Sequence, residues 1–466
     1  MVMGFGIQQN IGRANTLRPN IILHVISLGV IGLCLWGCYL SFSKTLFKIT
    51  SIIAGLSVVY ACLRFMASAT AKPKPSEAAD PDVWPFYTVL IPLFHEANMV
   101  PQLMAALAKL DYPSNKLEIF MICEAIDPKT IAAVRRRIGG IFHLIIVPAG
   151  TPQTKPRALN FAMQRARGDF VTIYDAEDIP HPAQLKAAVK AFAADPSLGA
   201  VQAPLDYANA QVNPLTRQFA LEYAALFHVW LPFLTAANLP FPLGGTSNHM
   251  RRVALDLIEG WDAHNVTEDA DLSFRLAAHK CRLGYISPPT QEEAVTNFRA
   301  WHFQRARWMK GFIQTWQCHM QAPFAPGGLR GLVRFFTLQL TLGLTIMNAL
   351  FHLPIMASVA IYILYLKLAG QPINIPVPFI ISLCLSYGAG MYIGAAGAIR
   401  AAKPALLLSV PFMPLYWFAL CAPTLRALWE LKRKPFHWHK TEHGVTSTPP
   451  LKLTIDLPIS IHDNHQ

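Results

Sequence analysis

Charge is scarce in this chain. Asp, Glu, Lys and Arg make up 14% of the 466 residues, 53% are hydrophobic, and the mean hydropathy is +0.32. That balance excludes an enzyme that is water-soluble throughout. Acidic residues are scarcer than basic ones, and 27 Asp and Glu against 40 Lys and Arg leave a formal charge of +13. In a soluble protein such an excess would point to nucleic acid. Here many cations flank apolar runs, where anionic headgroups attract them, so the expected partner is the lipid bilayer and no nucleic acid. Cysteine provides no framework. Cys34, Cys38, Cys62, Cys123, Cys281, Cys318, Cys384 and Cys421 include no Cys-x-x-Cys pair, and at least four lie in apolar runs. This excludes a zinc-finger site and a disulfide scaffold. No internal repeat is apparent.

What the chain has instead is long apolar runs, at about 20–42, 49–67, 376–398 and 404–428; roughly 20 residues of helix cross a bilayer. The first follows Arg13 and Arg18, is over-long for a signal peptide, lacks a small-residue cleavage site and is soon followed by the second run, so it reads as a signal anchor. With the basic leader inside, two spans return the chain to the cytoplasm near residue 68. A further run, 333–367, is either one tilted helix preceded by an interfacial piece or a hairpin broken near 348–354. Lys432, Arg433 and Lys434 follow the last run and favour a cytoplasmic tail. Six spans satisfy that if 333–367 is a hairpin, but Arg400 and Lys403 would then face outward, which counts against it. The expected organisation is two transmembrane helices in 1–70, a Pro-rich charged linker at 71–82, a cytoplasmic domain over 83–328, a transmembrane region over 329–430 and a basic tail over 431–466.

Within 83–328, "FYTVLIPLF" (86–94), "LEIFMIC", "FHLIIVP" and "DFVTIYDAED" read as strands, and "PQLMAALAKL", "PKTIAAVRRRI" and "KPRALNFAMQRA" between them read as helices. The alternation predicts an α/β domain with a mostly parallel sheet and helices on both faces. In such sheets ligands bind beyond the carboxyl ends of the strands. Glu124 and Asp127 follow the second strand there; Asp175, Glu177 and Asp178 follow the fourth. One such cluster alone would be mostly N-capping residues, but two at one edge suggest a site. Asp175 and Glu177 share a face of an extended segment, and hard oxygen ligands at that spacing suit Mg²⁺ or Mn²⁺ bound jointly with a diphosphate.

"TVLIPLFHEANMVPQLMAALAKLDYP", "KPRALNFA", "YDAED", "GGTSNHMRR", "GWDAHNVTEDADLSFRL" and "QRARW" occur in an order and spacing that resemble the membrane-embedded family 2 glycosyltransferases, relatives of cellulose and hyaluronan synthases. The resemblance covers about 85–320. It implies a GT-A fold that takes a sugar from a nucleotide diphosphate-sugar, a UDP-sugar most simply, using Mg²⁺ or Mn²⁺ and inverting the anomeric centre. It places the catalytic domain on the cytoplasmic face of a bacterial inner (plasma) membrane. By resemblance the metal falls to Asp175 and Glu177, with Glu standing where the family has a second Asp. The donor and its nucleotide fall to Glu96, Glu124 or Asp127, Lys155, Asp175, Gln304 and Arg307. Asp269 of "VTEDADLSFRL" matches the general base, which an acceptor hydroxyl needs because it is a weak nucleophile. Asp271 and Arg275 read as a structural i, i+4 pair. Gly245 and Thr246 border the acceptor, with His249 open between that role and a structural one.

Trp301, Trp308, Phe312 and Trp316 form a stripe along one helix, which ordinarily marks an interfacial anchor. Phe312 and Trp316 are expected in that role, while Trp308, in the QxxRW motif, is expected to stack on the acceptor sugar. The three histidines of "FHWHKTEHG" (436–444) have no metal spacing and are expected to fold back under the domain. Elongation of a polysaccharide or oligosaccharide, coupled to export, is the leading expectation; transfer of a single sugar to a membrane lipid is the alternative.

Overall fold

The structure is a computed structural model that describes residues 13–14, 21–70 and 79–435. Most of the linker and the whole "FHWHKTEHG" segment lie outside them. The strands are β1 (Tyr87–Leu93), β2 (Leu117–Glu124), β3 (Phe142–Val147), β4 (Phe170–Ile173), β5 (Ile179–Pro180), β6 (Leu198–Gln202), β7 (Leu205–Tyr207), β8 (Asn248–Arg251), β9 (Arg282–Tyr285) and β10 (Thr290–Glu292). Seven form one sheet in the order β3-β2-β1-β4-β8-β6-β9, in which only β8 runs against its neighbours; β5, β10 and β7 form a small second sheet. The largely parallel sheet flanked by helices agrees with the sequence reading. The fourth strand, however, stops at Ile173, so the acidic run from Asp175 lies in the following turn and not on the strand.

β1 and β2 are central and almost wholly buried, as parallel strands covered on both faces must be. Alternate side chains feed two cores. Val89 and Ile91 pack with Val100, Leu103, Leu185 and Phe192 of helices on one face. Leu90, Phe120 and Ile122 face the other way, into a core that continues through Phe227, Leu231 and Leu234 to Ala67 and Ile393 of the apolar helices. One face of the sheet is therefore continuous with the membrane region.

The protein is an integral membrane protein with several helices long and apolar enough to span a bilayer. Ile21–Ala69 is helical but broken at Ser41 (φ −165°, ψ 101°), at the end of the first run read from the sequence. The proposed hairpin in 333–367 does not form. Gly328–Leu338 leads through a π-helical turn, Gln339–Gly343, into a helix Leu344–Leu368 that passes through Pro354. In hydrocarbon a chain that leaves the helix strands its backbone polar groups, so proline is tolerated rather than obeyed as a stop. Residues 404–428 are not one continuous helix. Prolines 404, 411, 414 and 423 divide them into a 3₁₀ helix Pro404–Phe412 and helices Met413–Ala419 and Cys421–Arg433. Both ends of this stretch touch the α/β domain, Lys403 Nζ donating to Tyr207 O (3.2 Å) and Lys310 Nζ to Lys434 O (3.4 Å). Arg400 and Lys403 face the domain, and Arg400 binds the carbonyls of Ser68, Thr70 and His228.

The sequence reading passed over an apolar segment inside the domain, Pro214–Ala236, which wedges between the sheet and Val377–Arg400. Gly397 permits that contact, because a Cβ there would lie 2.5 Å from the Ala224 carbonyl carbon, whereas Gly388 of the same helix has nothing within 4 Å. Gly397→Ala should lower the thermal unfolding midpoint of the detergent-solubilised protein, since overpacking against backbone costs about 1–3 kcal/mol. Gly388→Ala should leave it unchanged or raise it, alanine being the better helix former by about 1 kcal/mol.

Candidate functional site

Beyond the carboxyl ends of β1, β2 and β4 lies a cavity of about 740 Å³. It gathers Glu96, Glu124, Lys155, Asp175, Glu177, Gly245, Thr246, Asp269, Gln304, Arg307 and Trp308, residues drawn from motifs up to 212 positions apart in sequence (96 to 308). Asp127 is not among its lining residues. Its carboxylate caps the helix Pro128–Arg135 through Thr130 N (3.2 Å) and accepts from His95 N (2.6 Å), and so serves the turn. Glu124 does line the cavity, 3.4 Å from Arg157.

The cavity is dominated by negative charge. Lys155 Nζ reaches Asp175 Oδ1 at 2.6 Å and Gly245 O at 2.7 Å. Burial opposes the charge on Lys155, but Asp175, Glu268 and Asp269 together outweigh it and hold the ammonium above its ordinary pKa. Burial, with Asp175 and Glu96 nearby, raises Glu177 to about 8; burial and Asp269 raise Glu268 to about 7, against the pull of Lys155. Asp269 is also raised by burial, although backbone N–H groups at its helix start, Lys155 and Arg307 counteract it. Asp178 is locked into the turn, accepting from Asp175 N (2.7 Å) and from the Thr246 hydroxyl. Among the described residues no cluster of three or more His, Cys, Asp and Glu is arranged to hold a metal alone. Asp175 and Glu177 nevertheless fit a divalent cation that takes its remaining ligands from a diphosphate, because they are hard oxygen donors in a surplus of negative charge. Gln304 Oε1 is buried with no hydrogen-bond partner among the described residues, a polar atom left for a ligand.

Asp269 begins the helix Glu268–Ala278, and Arg307 sits on the helix Phe298–His319. Gly311 brings the two together: any Cβ there would overlap the side chain of Thr267, the N-cap of the first helix. Neighbouring cations on the second helix have structural partners. Arg305 pairs with Glu222 and lies 4.2 Å over the Phe219 ring, and buried Lys310 meets buried Glu430 at 3.4 Å. Asp271 is structural as expected. Burial opposes its ionisation, but Arg275 (2.6 Å) and His319 (3.1 Å) bring its pKa down to about 2.

The aromatic stripe of the Phe298–His319 helix is turned inward, contrary to the anchor expected for Phe312 and Trp316. Trp316 Nε1 donates to Gln339 (2.9 Å) and packs with Phe274 and Leu342, Phe312 lines the cavity, and Trp301 is fully buried against Tyr416. Trp308 lines the cavity with its ring held by Arg305, Phe219 and Tyr223. His249 is fully buried on β8, bonded to Tyr87 Oη (2.7 Å), and burial drops its pKa to about 3, which makes it structural. Sequence reading missed Glu292 and Glu293, which also line the cavity. The acidic pair in "TQEEAV", just before the QxxRW helix, was the available signal.

A carboxylate-rich cavity at the carboxyl edge of a GT-A-like sheet, set among membrane helices, is the framework of a membrane enzyme for sugar transfer. The chain belongs to the family described as Glycosyltransferase like family 2, which residues 85–311 match, and is related to cellulose and mannan synthases. It is 26% identical over 411 residues, 84% of this chain and 82% of the relative, to beta-monoglucosyldiacylglycerol synthase of Synechocystis sp.. It is 27% identical to probable glucomannan 4-beta-mannosyltransferase 1 of Arabidopsis thaliana over 240 residues, 50% of this chain and 43% of that protein. The fold matches that of the mannosyltransferase PcManGT from Pyrobaculum calidifontis, solved with GDP-Man and Mn²⁺, with a TM-score of 0.54, 22% identity, and coverage of 83% of this chain and 99% of that one.

Gly311→Ala should separate Thr267 and Asp269 from Arg307. A misplacement of about 1 Å can cost 10²-fold in rate, so donor turnover should fall by about that factor while far-UV circular dichroism stays unchanged.

Proposed function

We propose that this protein transfers a single sugar from a nucleotide diphosphate-sugar to a hydroxyl of a membrane lipid. The observation that carries this reading is the continuity of the cavity. From Asp175 and Asp269 it extends to Tyr60, Leu226, Trp230 and Leu234, and to Leu342 and Ile393 of the apolar helices, so an acceptor can keep its acyl chains in lipid while its headgroup meets the carboxylates. The Synechocystis relative, whose name is that of a glycolipid synthase and which aligns over most of both chains, supports the same order of preference. Chain elongation, the leading expectation from the sequence, becomes the second reading. It rests on Trp308 in the cavity wall and on the mannosyltransferase relative, which this chain matches over less than half of that protein's length.

In this reading Asp175 and Glu177 would hold Mg²⁺ or Mn²⁺, which would supply positive charge to the diphosphate. Lys155 and Arg307 supply further positive charge to the leaving diphosphate, and Gln304 offers its unpaired Oε1 to a donor hydroxyl. Glu96 and Glu124 border the nucleotide. Gly245 keeps space open beside the base, since a Cβ there would stand 3.6 Å from Asp269 Oδ2. Asp269 takes the proton of the acceptor hydroxyl as that oxygen bonds to the anomeric carbon and the carbon–diphosphate bond breaks, inverting the centre. Trp308 forms the wall beside the acceptor headgroup. The basic cluster Lys432–Arg433–Lys434, on the domain side of the helices, supports a cytoplasmic catalytic domain.

Asp269→Asn should retain donor binding and lose about 10²- to 10⁴-fold in rate, the usual scale for a general base; near-normal transfer would make Asp269 structural. Activity should vanish in excess chelator and return with Mg²⁺ or Mn²⁺. Because the folded pKa of Asp269 is raised, the acid limb of the rate profile should lie above an ordinary aspartate's, about 3.9. Lys155 pulls that pKa down, so Lys155→Ala should move the limb to higher pH. The lipid route is tested by Leu234→Trp, which should block transfer to lipid while slow release of nucleotide by donor hydrolysis persists. Equal loss of both activities would count against lipid entry by this route.

A further inference from the structure

The lipid end of the cavity contains one cation, Arg64, which has no place in the transfer chemistry. It lies on the helix Ile21–Ala69, six residues before Thr70, or roughly 9 Å along a helix axis. That is the depth of lipid headgroups if the end of this helix marks the membrane surface. The helix shows its lipid-facing side at exposed Cys62, Phe65 and Met66, whereas Ala61, Arg64 and Ala67 turn inward. Arg64 therefore faces the cavity and does not reach along the outer surface toward water.

A niche is built around it. The guanidinium stacks 4.2 Å over the Tyr60 ring, and Gly390 of the helix Val377–Arg400 leaves the necessary room, since a Cβ there would stand 3.0 Å from Arg64 Nη1. Its hydrogen bonding is thin: Nη1 donates to Ser386 O at 3.3 Å, and among the described residues no carboxylate lies within ion-pair distance. A guanidinium carries five donors, and an ionisable group at membrane depth is costly unless it is paired. The other wall of this end is apolar, with Leu226, Trp230 and Leu234.

We infer that Arg64 is a phosphate-binding subsite for the lipid, and that the acceptor is an anionic glycerophospholipid. Its phosphate lies on Arg64, its acyl chains along the apolar wall and its headgroup hydroxyl toward Asp269. The inference rests on the lipid-acceptor reading. It differs from that reading in requiring a charge that diacylglycerol lacks.

The test uses the purified full-length protein in uncharged detergent, with phosphatidylglycerol and diacylglycerol as probes and intrinsic tryptophan fluorescence as the readout. Wild type should bind phosphatidylglycerol about tenfold more tightly, the scale of one charge-assisted hydrogen bond. Arg64→Gln should abolish that preference and leave diacylglycerol binding unchanged, while Arg64→Lys should keep part of it. Equal affinity for the two lipids in wild type, or a preference that survives Arg64→Gln, would overturn the subsite. If Arg64→Gln does not fold, salt decides: the wild-type preference must shrink at high ionic strength, and indifference to salt overturns the proposal. Reconstituted vesicles separate the two readings. Glycosylation of diacylglycerol and phosphatidylglycerol alike, unaffected by Arg64→Gln, removes the phosphate subsite but keeps the lipid acceptor. Arg64-dependent phosphatidylglycerol binding with no lipid ever glycosylated keeps the subsite and removes the acceptor reading.

Discussion

The charge imbalance of the cavity governs the rest of the site. Asp175, Glu177, Glu268, Asp269 and Glu292 share one space with Lys155 and Arg307, so carboxylates outnumber the cations that face them. Burial and mutual repulsion hold Glu177 and Glu268 near neutrality in their pKa values, a state in which small changes in added positive charge alter protonation. In the proposed reading, Asp175 and Glu177 would hold a divalent cation that offsets their repulsion, and a diphosphate would give Lys155 and Arg307 a partner; Asp269, at the acceptor side, would then be the base.

Such a site needs a rigid frame, because charges in low dielectric gain or lose large energies over short displacements. The helix Phe298–His319 supplies it. Gly311 sets its closeness to Thr267, Arg305 fixes it to Glu222, and Lys310 fixes it to Glu430 of the last helix. Three cations within six positions therefore have different surroundings: Arg305 pairs with Glu222, Lys310 with Glu430, and Arg307 lies near Glu268, Asp175 and Asp269. The same helix lines the cavity and also packs against the apolar helices, so the proposed acceptor route and donor site would share a wall.

Much of the fold could be read from the chain. The Val, Ile and Leu runs of β1 and β2 identify buried parallel strands, and the acidic turns after β2 and β4 mark the edge where the cavity opens. Other features depended on contacts that no periodicity reveals. β8 is four residues long, with polar Asn248 and His249 buried by pairing, so it has no alternating signature. Glu124 and Asp127 are three residues apart and equally acidic, and only the turn geometry assigns one to the cavity and the other to a cap. The tryptophan stripe identified a helix correctly but not what lay opposite it; the facing surface was protein, not headgroups. Prolines misled in both directions, since Pro354 leaves its helix intact while those between 404 and 423 break theirs. Glu292 was legible only as one acid among several until β10 placed it near Asp178, Glu177 and Asp175.

In the proposed reading, one cavity joins a metal-dependent donor site to the lipid phase, and the acceptor is a membrane lipid. The most direct measurement is mass spectrometry of lipids extracted from vesicles containing the full-length protein, Mn²⁺ and a panel of nucleotide diphosphate-sugars. Lipid species heavier by a single sugar residue should appear, and should be absent when Asp269 is replaced by Asn. A ladder of products carrying many sugars, or glycan formed with no lipid attached, would contradict it.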